Sequence, residues 1–424
     1  MLKYTIKEII DVNMKSNNSK RMSVLAAAII FTSLIVVMLF YKSSISNDFA
    51  KLKHESTTPV KNSLLNNSIS QIEHTKVSNN FENIKVKAIY ISGYSAGNNK
   101  VLERTIKLIK DTELNAVVID VKENGMVNYK SDNKLVNQYK TWRNVYNVNE
   151  VLNKFHENNI YVIGRIVCFR DKNLIAARKD YAIKMPNGSV WLENGIYPWA
   201  NPYNENVWDY NIEIAKEAVS KGFDEILFDY VRFPTARESE ISYGNITESK
   251  VDAICGFLEK AEKEIKSVRN IPVSADIFGI ICISKVDGDS IGQDIEKIGQ
   301  NIDYICPMVY PSHFANASKG MMGNGVGQNI NGVNFTAPDL KPYEVVYNTL
   351  MAAKGKISKT TIYKAKIRPY LQDFTASYLK KGYYQDYNEA QVRAQVNAVK
   401  DVGIDEWIFW DAENTYTVGG FLKE

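Results

Sequence analysis

Strand-like and helix-like segments alternate along most of the chain, and this alternation limits the fold more than any other feature of the sequence. Continuous apolar strands that alternate with amphipathic helices predict a parallel sheet covered by helices. Eight segments are apolar and rich in β-branched and aromatic residues, as buried strands are: 86–96, 115–125, 161–171, 225–235, 271–279, 303–311, 366–374 and 406–416. Helix-like stretches between them include residues 100–111, 149–158, 204–222, 248–266 and 388–403.

The number of units favours a closed (β/α)8 barrel, or TIM barrel, which takes about 200 to more than 400 residues. The alternative is a doubly wound open sheet, in which six strands are more usual and a glycine-rich phosphate loop can follow the first strand. After the first strand-like segment the sequence ISGYSAGNNK has glycine only at Gly93 and Gly97. That spacing is not a dinucleotide-binding pattern, so the barrel is the preferred prediction.

The N-terminal region contains 20 residues without a charge, MSVLAAAIIFTSLIVVMLFY, at residues 22–41. At about 1.5 Å per residue, a helix of this length spans the roughly 30 Å apolar core of a bilayer. Basic residues before it predict a cytoplasmic segment (1–21), one transmembrane signal-anchor helix (22–41) and an extracytoplasmic remainder at the cell membrane. The alternative is a signal peptide cleaved near Ser43, which would make the protein secreted, although such peptides have shorter apolar runs of about 7–15 residues.

A polar segment separates this helix from the predicted barrel. Residues 42–80 hold eight Ser, six Asn and three Thr, with Phe49 as the only aromatic residue. So little apolar material cannot offset the entropy lost on ordering. Residues 42–82 are therefore predicted to be a disordered linker, and residues 83–424 the barrel domain.

The charge distribution argues against a nucleic acid partner. Residues 1–21 carry five Lys or Arg and two acidic residues, whereas residues 83–424 carry 42 of each sign. Phosphate binding needs clustered basic residues in excess, and the predicted domain has no excess.

Polar and aromatic residues collect where the eight apolar segments end, and active groups of TIM barrels lie at the C-terminal ends of the strands. A single one of them is as well explained by helix capping, but a purely structural barrel has no reason to direct carboxylates and aromatic rings to one rim. In chain order they are Tyr94 and Ser95; Asp120, Lys122 and Glu123; Arg165 and Arg170; Asp229 and Arg232; Asp276; Tyr310 and His313; Arg368, Tyr370 and Asp373; and Trp410, Asp411 and Glu413.

One of these segments, EILFDYVRFPT at residues 225–235, resembles the FDYVRFP signature of an uncharacterised bacterial family called the putative glycosyl hydrolase domain. Further blocks resemble that family in its order: VKAIYISGYSA, VVIDVKENG, WANPYNENVWDYNIEIAKEA, VSADIFG, CPMVYPSHF and IRPYLQDF. The resemblance extends from about Val86 to Tyr416. It implies a TIM-barrel glycosidase fold, distantly similar to the α-amylase and α-galactosidase superfamilies, and glycoside hydrolase activity.

Glycoside hydrolysis needs two carboxyl groups that face each other across the glycosidic oxygen, one as acid and the other as nucleophile or base. Asp229 matches the position of the nucleophile in the distantly similar barrel enzymes, and the nearby Arg232 is predicted to keep it ionised. Asp276 is followed by Ile277 and Phe278 and has no basic residue within five positions, so its surroundings favour a raised pKa and the role of acid. Asp120, Asp373, Asp411 and Glu413 are alternatives for the acid.

Substrate binding is predicted to use polar rim residues and aromatic rings that pack against sugar faces. Trp191 and Trp199 lie in the long connection after the third strand and are the candidate platforms there. The predicted substrate-binding residues are Asp120, Glu123, Arg232, Tyr310, His313, Arg368, Asp373, Trp410, Asp411 and Trp199.

Other chemistries have little support in the sequence. The four histidines are His54, His74, His156 and His313, two of them in the predicted linker, so neither a zinc site nor a Ser–His–Asp triad is easily built. No metal or cofactor is predicted. The D-x-x-D-x-D-x-E pattern expected of chitinase-like barrels is absent from the fourth strand, which has only Glu225 and Asp229.

The sequence therefore predicts a membrane-tethered, extracytoplasmic glycoside hydrolase that acts on an oligo- or polysaccharide of a surface or the environment. The first alternative is a catalytically inactive carbohydrate-binding barrel in envelope or spore assembly. The second is a transglycosylase that uses the same residues and excludes water from the intermediate.

Overall fold

Eight parallel strands form a closed barrel in the computed structural model, which describes residue 81 and residues 83–422. The ring closes because the first strand pairs with both the second and the last. The strands are β1 (Lys87–Ile91), β2 (Ala116–Glu123), β3 (Tyr161–Val167), β4 (Glu225–Asp229), β5 (Val273–Phe278), β6 (Tyr304–Met308), β7 (two pieces, Lys366–Ile367 and Tyr370–Gln372) and β8 (Trp407–Trp410). The predicted (β/α)8 barrel is thus confirmed.

Helices cover the outside of the barrel: α1 (Asn99–Asp111), α2 (Val148–Glu157), α3 (Glu205–Lys221), α4 (Lys250–Val268), α5 (Lys285–Ile291), α6 (Pro342–Ile357) and α7 (Glu389–Asp401). Most begin after an Asn or Ser whose side chain accepts a hydrogen bond from a first-turn amide, as Asn98, Asn204 and Ser249 do for α1, α3 and α4. Short helices are Gly93–Ala96, Lys134–Tyr139, Lys172–Ala177 and Ile295–Ile298, and 3-10 turns are Lys179–Tyr181, Glu238–Glu240, Gly279–Cys282, Pro311–His313, Pro338–Leu340 and Val418–Phe421.

The loops after β3 and β6 carry small antiparallel hairpins at the rim where strands end. One joins Leu192–Glu193 to Tyr197–Pro198 after β3. Two follow β6, joining Lys319–Gly320 to Gly323–Asn324 and Gln328–Ile330 to Val333–Phe335. A further short strand, Met126–Val127, pairs antiparallel with the end of β2.

Side chains alternate between the barrel interior and the helical layer along each strand, as the two-residue period of a strand requires. On β3, Tyr161 and Ile163 belong to the interior cluster, whereas Val162 and Ile166 belong to the core shared with the helices. Because both faces of the strands are buried, the strand segments are apolar almost throughout. The polar residues that do point inward therefore stand out as candidates for function or for structural ion pairs.

A buried ion cluster closes the N-terminal end of the barrel. The guanidinium of Arg368, which is 1% exposed, donates to Glu225 at 2.7 Å and to Glu406 at 2.9 Å. It also lies 3.7 Å from the ring centroid of Tyr304. The prediction that Arg368 binds substrate is wrong, because both carboxylates lie where strands begin, at the opposite end from the rim. Arg368 follows the first piece of β7, and Pro369 cannot donate a ladder hydrogen bond, so the single strand predicted there is interrupted.

Two predicted N-terminal features, the membrane helix at residues 22–41 and most of the linker at residues 42–82, lie outside the described residues. Within residue 81 and residues 83–422, no helix is long and apolar enough to cross a membrane. Phe81, at the end of the predicted linker, packs edge-on against Tyr161 with ring centroids 5.3 Å apart.

Candidate active site

Four neighbouring strands bring charged side chains together at the C-terminal end of the barrel. They are Asp120 on β2, Arg165 on β3, Asp229 on β4 and Asp276 on β5. Asp120 pairs with Arg165 in the strand register. Phe228 pairs with Ala275, so the next residues along, Asp229 and Asp276, lie side by side on adjacent strands. The prediction of these two aspartates at one mouth of the barrel agrees with this placement.

Arg165 connects two of the carboxylates. Its Nη1 donates to Asp120 Oδ1 at 2.5 Å. Its Nε and Nη2 donate to Asp229 Oδ2 at 3.0 Å and 2.5 Å. A planar guanidinium holds a carboxylate in a fixed orientation better than an ammonium could. Arg165 therefore orients Asp229 within the barrel mouth.

The predicted partner of Asp229, Arg232, is the wrong arginine. No acidic side chain of the described residues lies within salt-bridge distance of Arg232, whereas Arg165 makes two hydrogen bonds to Asp229. The sequence neighbour three positions away was preferred over Arg165, which lies on another strand. In a barrel the register between adjacent strands, not distance along the chain, decides which charges meet.

The backbone after Asp229 is strained. Tyr230 has a φ of 50°, in the left-handed region that a bulky residue seldom adopts. In this conformation its amide donates to Asp229 Oδ1 at 2.6 Å. Both oxygens of Asp229 thus accept hydrogen bonds, one from Arg165 and one from the backbone. Strained residues cluster at functional sites, where the conformation is part of the mechanism.

Asp276 has the opposite environment. It is 2% exposed, and its Oδ1 is buried with no hydrogen-bond partner among the described residues. Burial, and then the neighbouring charge of Asp229, raise the pKa of Asp276 well above its usual value. The hydroxyl of Tyr370 is also buried without a partner. Asp276 therefore combines proximity to Asp229 with surroundings that favour its protonated form.

Asp120 lies deeper in the same network. Tyr90 donates its hydroxyl to Asp120 Oδ2 at 2.6 Å, and Arg165 holds the other oxygen. Burial is the largest effect and raises the pKa of Asp120. Because both oxygens are engaged, Asp120 is placed to support Arg165 rather than to contact a substrate.

A β-bulge in β2 sets the directions of the residues after Asp120. The pairing with β3 shifts between Asp120 and Lys122. Lys122 consequently lies outside the barrel, where it is fully buried and forms an ion pair of 2.6 Å with Asp171. Glu123 lies on the rim, with one carboxylate oxygen 3.9 Å from Arg143. Burial, and next the charge of Asp120, raise the pKa of Glu123.

The other candidate acids serve loops. Asp373 accepts hydrogen bonds from the hydroxyl and the amide of Thr417, at 2.7 Å and 2.8 Å, and burial raises its pKa to about 6. Asp411 accepts a hydrogen bond from the amide of Thr415, and Glu413 is exposed. Asp373 and Asp411 thus fasten the turns after β7 and β8. Of the candidate acids, Asp276 lies beside Asp229 and has a buried oxygen without a partner.

Aromatic rings form one wall of the mouth. Trp410, at the end of β8, lies 6.5 Å from the ring of Tyr90, 6.0 Å from Tyr310 and 5.4 Å from Phe374. The His313 ring lies 4.9 Å from Tyr310 and extends the wall to the exposed rim. Trp410 is partly exposed, so its face is the best sugar platform of the predicted residues.

Trp199 is not a platform. It is fully buried, and its ring lies 5.9 Å from Tyr230 and 4.8 Å from the guanidinium of Arg232. Trp191, the other candidate in that connection, is 7% exposed. The prediction that Trp199 binds substrate is therefore wrong, because the long loop packs these rings inward against its own core.

A family model described as "Putative glycosyl hydrolase domain" matches residues 88–416. The chain belongs to this family. No curated protein matches the chain. The family match extends from β1 to the turn after β8, so it contains the whole barrel and every carboxyl group of the site.

Solved structures share the fold of this glycosyl hydrolase domain. The glycoside hydrolase domain of PgaB (BpsB) from Bordetella bronchiseptica is 10% identical, with 78% of this chain and 95% of that chain covered and a TM-score of 0.52. A hypothetical protein from Ruminiclostridium thermocellum is 41% identical over 44% of this chain and 96% of its own, with a TM-score of 0.42. A chitinase from Chromobacterium violaceum is 11% identical, with 80% and 97% covered and a TM-score of 0.44.

Two residues of this glycosyl hydrolase site were not predicted as site residues from the sequence. Arg165 was noted at a strand end without a role, and Tyr90 was not singled out. Both lie on the inward face of their strands, at a two-residue spacing from apolar interior residues such as Ile163 and Ala88. That period, applied to the polar as well as the apolar positions, is the signal that identifies them.

Proposed function

We propose that this protein hydrolyses glycosidic bonds with Asp229 as nucleophile and Asp276 as acid. The observation that carries the proposal is the contrast between two neighbouring carboxyl groups. Arg165 and the Tyr230 amide donate to Asp229, whereas Asp276 is buried with an oxygen that has no partner. Two titratable groups with such different environments are typical of an acid paired with a nucleophile or base.

The proposed reaction has two steps. Asp276 gives its proton to the glycosidic oxygen while Asp229 attacks the anomeric carbon, which breaks the bond to the leaving sugar and forms a glycosyl ester. Asp276, now a carboxylate, then takes a proton from water, which attacks the same carbon and releases Asp229. Neighbouring strands are about 4.8 Å apart. This spacing supports retention of configuration, for which the carboxyl groups are about 5–5.5 Å apart.

The decisive experiment is a screen of the full chain against oligosaccharides and aryl glycosides, followed by the Asp229→Asn variant. We expect Asp229→Asn to lower kcat at least several hundredfold, or about 4 kcal/mol in the barrier, with little change in Tm. Asp405→Asn is the matched control, because the Asp405 side chain is 67% exposed and pairs only loosely with Lys85 at 3.7 Å. Near-normal turnover of Asp229→Asn would contradict the proposal.

The Asp229→Ala variant tests the role of nucleophile directly. Azide can take the place of the missing carboxylate, so we expect added azide to restore turnover and to give a glycosyl azide of inverted configuration. A product of retained configuration from the wild-type protein, followed by NMR during hydrolysis, completes the test. An inverted wild-type product would instead make Asp229 a base for water.

A second candidate function is carbohydrate binding without catalysis, or transfer to a sugar in place of water. The observation in favour of binding alone is that both Asp229 oxygens already accept hydrogen bonds. Saturable binding of an oligosaccharide with no turnover in the wild-type protein would select this alternative. Products longer than the substrate would select the transglycosylase.

We further propose that residues 22–41 anchor the barrel to the outer side of the cell membrane, with a polysaccharide of the surface or the environment as substrate. The support is the 20-residue uncharged run and the basic residues before it. We expect a C-terminally tagged full-length species in the membrane fraction that external protease digests once the cell wall is removed. A shorter released product that begins near Ser43 would show cleavage instead.

A further inference from the structure

Arg232 is a buried cation at the mouth of the barrel. It is 7% exposed, and its guanidinium lies 4.8 Å from the ring centroid of Trp199, 5.2 Å from that of Tyr230 and 4.5 Å from that of Phe278. Burial is the main cause of a lowered pKa for Arg232. Aromatic faces attract a cation, but they do not supply hydrogen-bond acceptors in the plane of the guanidinium.

The other inward arginines of the barrel have carboxylate partners, and Arg232 does not. Arg165 binds Asp120 and Asp229, and Arg368 binds Glu225 and Glu406. For Arg232 no acidic group of the described residues lies within salt-bridge distance, and the side chain makes one hydrogen bond, from Nη1 to the carbonyl of Phe233 at 2.8 Å. Most of its N–H donors therefore lack a protein acceptor within the described part of the chain.

A buried cation without a partner costs several kcal/mol of desolvation, which is why buried charges are normally paired. Arg232 thus needs an acceptor from outside the described residues, and its position says where that acceptor lies. Tyr230 directly follows Asp229, and Phe278 comes two residues after Asp276. The guanidinium, packed between these two rings, lies against the strand ends that carry both proposed catalytic carboxyl groups.

From this geometry we propose that Arg232 binds an oxyanion carried by the sugar at the proposed cleavage site, so that the substrate is an anionic glycan. The inference rests on the proposed function for the location of that sugar. The planar guanidinium suits a carboxylate, as in a uronic acid or a sugar with an acidic ether substituent, and equally a phosphate ester. Aromatic rings on either side keep the fork in one plane and exclude water from the contact.

The test measures binding, not turnover, by calorimetry on the full chain in the Asp229→Asn background. The probes are short oligogalacturonides, the same oligosaccharides after reduction of their carboxyl groups, and glucan oligosaccharides with and without phosphate at C6. We expect one anionic member of a pair to bind at least about tenfold more tightly than its neutral counterpart, as one charge-assisted contact would give. Which pair shows the preference identifies the carboxylate or the phosphate.

Arg232→Gln should abolish that preference, leaving the neutral ligand's affinity unchanged. Arg237→Gln is the matched control, since it removes the same charge from the same loop at a side chain that is 78% exposed, and it should keep the preference. If Arg232→Gln no longer unfolds cooperatively, Arg232→Met is used, because an apolar side chain fits a slot lined by rings.

Equal affinities within both pairs, the absence of binding by either anionic probe, or a preference that survives loss of Arg232 would each overturn the inference. These outcomes leave the proposed catalysis standing, since that depends on the kcat of Asp229→Asn. Conversely, an anionic preference that requires Arg232 in a protein without turnover would support the inference and the non-catalytic function together.

Discussion

At the scale of single residues, Asp276 is destabilising in the form that stability would select against. Burial raises its pKa, so the folded state holds the proton more tightly than the unfolded state does. The stability of the fold therefore falls as the pH rises from about 3.9, the usual Asp value, through the raised value, and stays lower above it.

Replacing Asp276 by Asn should therefore raise the Tm at neutral and alkaline pH, with a gain that shrinks towards zero as the pH falls below about 4. Calorimetric Tm values over this pH range check the expectation. A Tm change that is independent of pH would show that Asp276 is not the group responsible. Such a gain in stability from loss of an active-site charge is a known trade-off.

The same variant should lower kcat for alkyl glycosides about 10²–10⁴-fold, the usual contribution of a general acid. Activity on aryl glycosides with acidic leaving groups should change far less, since these need no proton. The basic limb of the wild-type pH–rate profile should disappear, because loss of the Asp276 proton causes it.

How well single residues could be predicted depended on where their partners came from. Asp229 and Asp276 could be located because each ends an apolar strand, and neighbouring strands of a barrel share one mouth. The partner of Asp229 could not be, since Arg165 lies 64 positions away along the chain and meets it only through the register of β3 and β4. Trp199 was wrong for a similar reason, because sequence does not show which face of a long loop is buried.

At the scale of elements, the barrel has a polar layer at each end, and the two layers have different tasks. At the strand starts Arg368 satisfies Glu225 and Glu406, and Tyr161 and Ser274 donate to Glu225 as well. That layer has no group in search of a ligand. At the strand ends Asp276, Tyr370 and Arg232 retain unused hydrogen-bonding groups.

Arg368→Met should consequently destabilise the fold by about 3–5 kcal/mol, because it leaves two buried carboxylates without a cation. The triple variant with Glu225→Gln and Glu406→Gln should recover much of this loss. Denaturant unfolding measures both, with Arg237→Met as the exposed control. The folded fraction of Arg368→Met should keep its kcat, and a specific loss of activity in a stable variant would return Arg368 to the substrate site.

At the scale of the whole molecule, the described region has its own core, and Phe81 belongs to it. We expect fragments that begin at residue 78 or at residue 83 to be soluble and to unfold cooperatively. The first should have the higher Tm, because Phe81 packs on Tyr161 below the barrel. Replacing Phe81 by Ala in the longer fragment should remove the difference. Aggregation of both fragments would mean that the barrel depends on residues further upstream.

The architecture could be predicted at this scale with few errors, because eight repeats of one pattern allow little else. The predicted helices around Asn99–Asp111, Val148–Glu157, Glu205–Lys221, Lys250–Val268 and Glu389–Asp401 are all present. The hairpins after β3 and β6 could not be, because such short pairs have no periodicity of their own. The loops that shape the mouth are thus the part of the molecule about which the sequence says least.

The closure of β1 against β8 has a consequence for how the protein is made. The amide of Val86 donates to Glu406, 320 positions later, and Lys87 pairs with Trp407. During synthesis the first strand therefore waits for almost the entire domain before its second edge is covered, and an uncovered edge invites pairing with other chains. Once the ring is sealed, both ends of the domain lie next to each other at its base. A circularly permuted order of the eight units would then reach the same barrel with the waiting strand chosen at will.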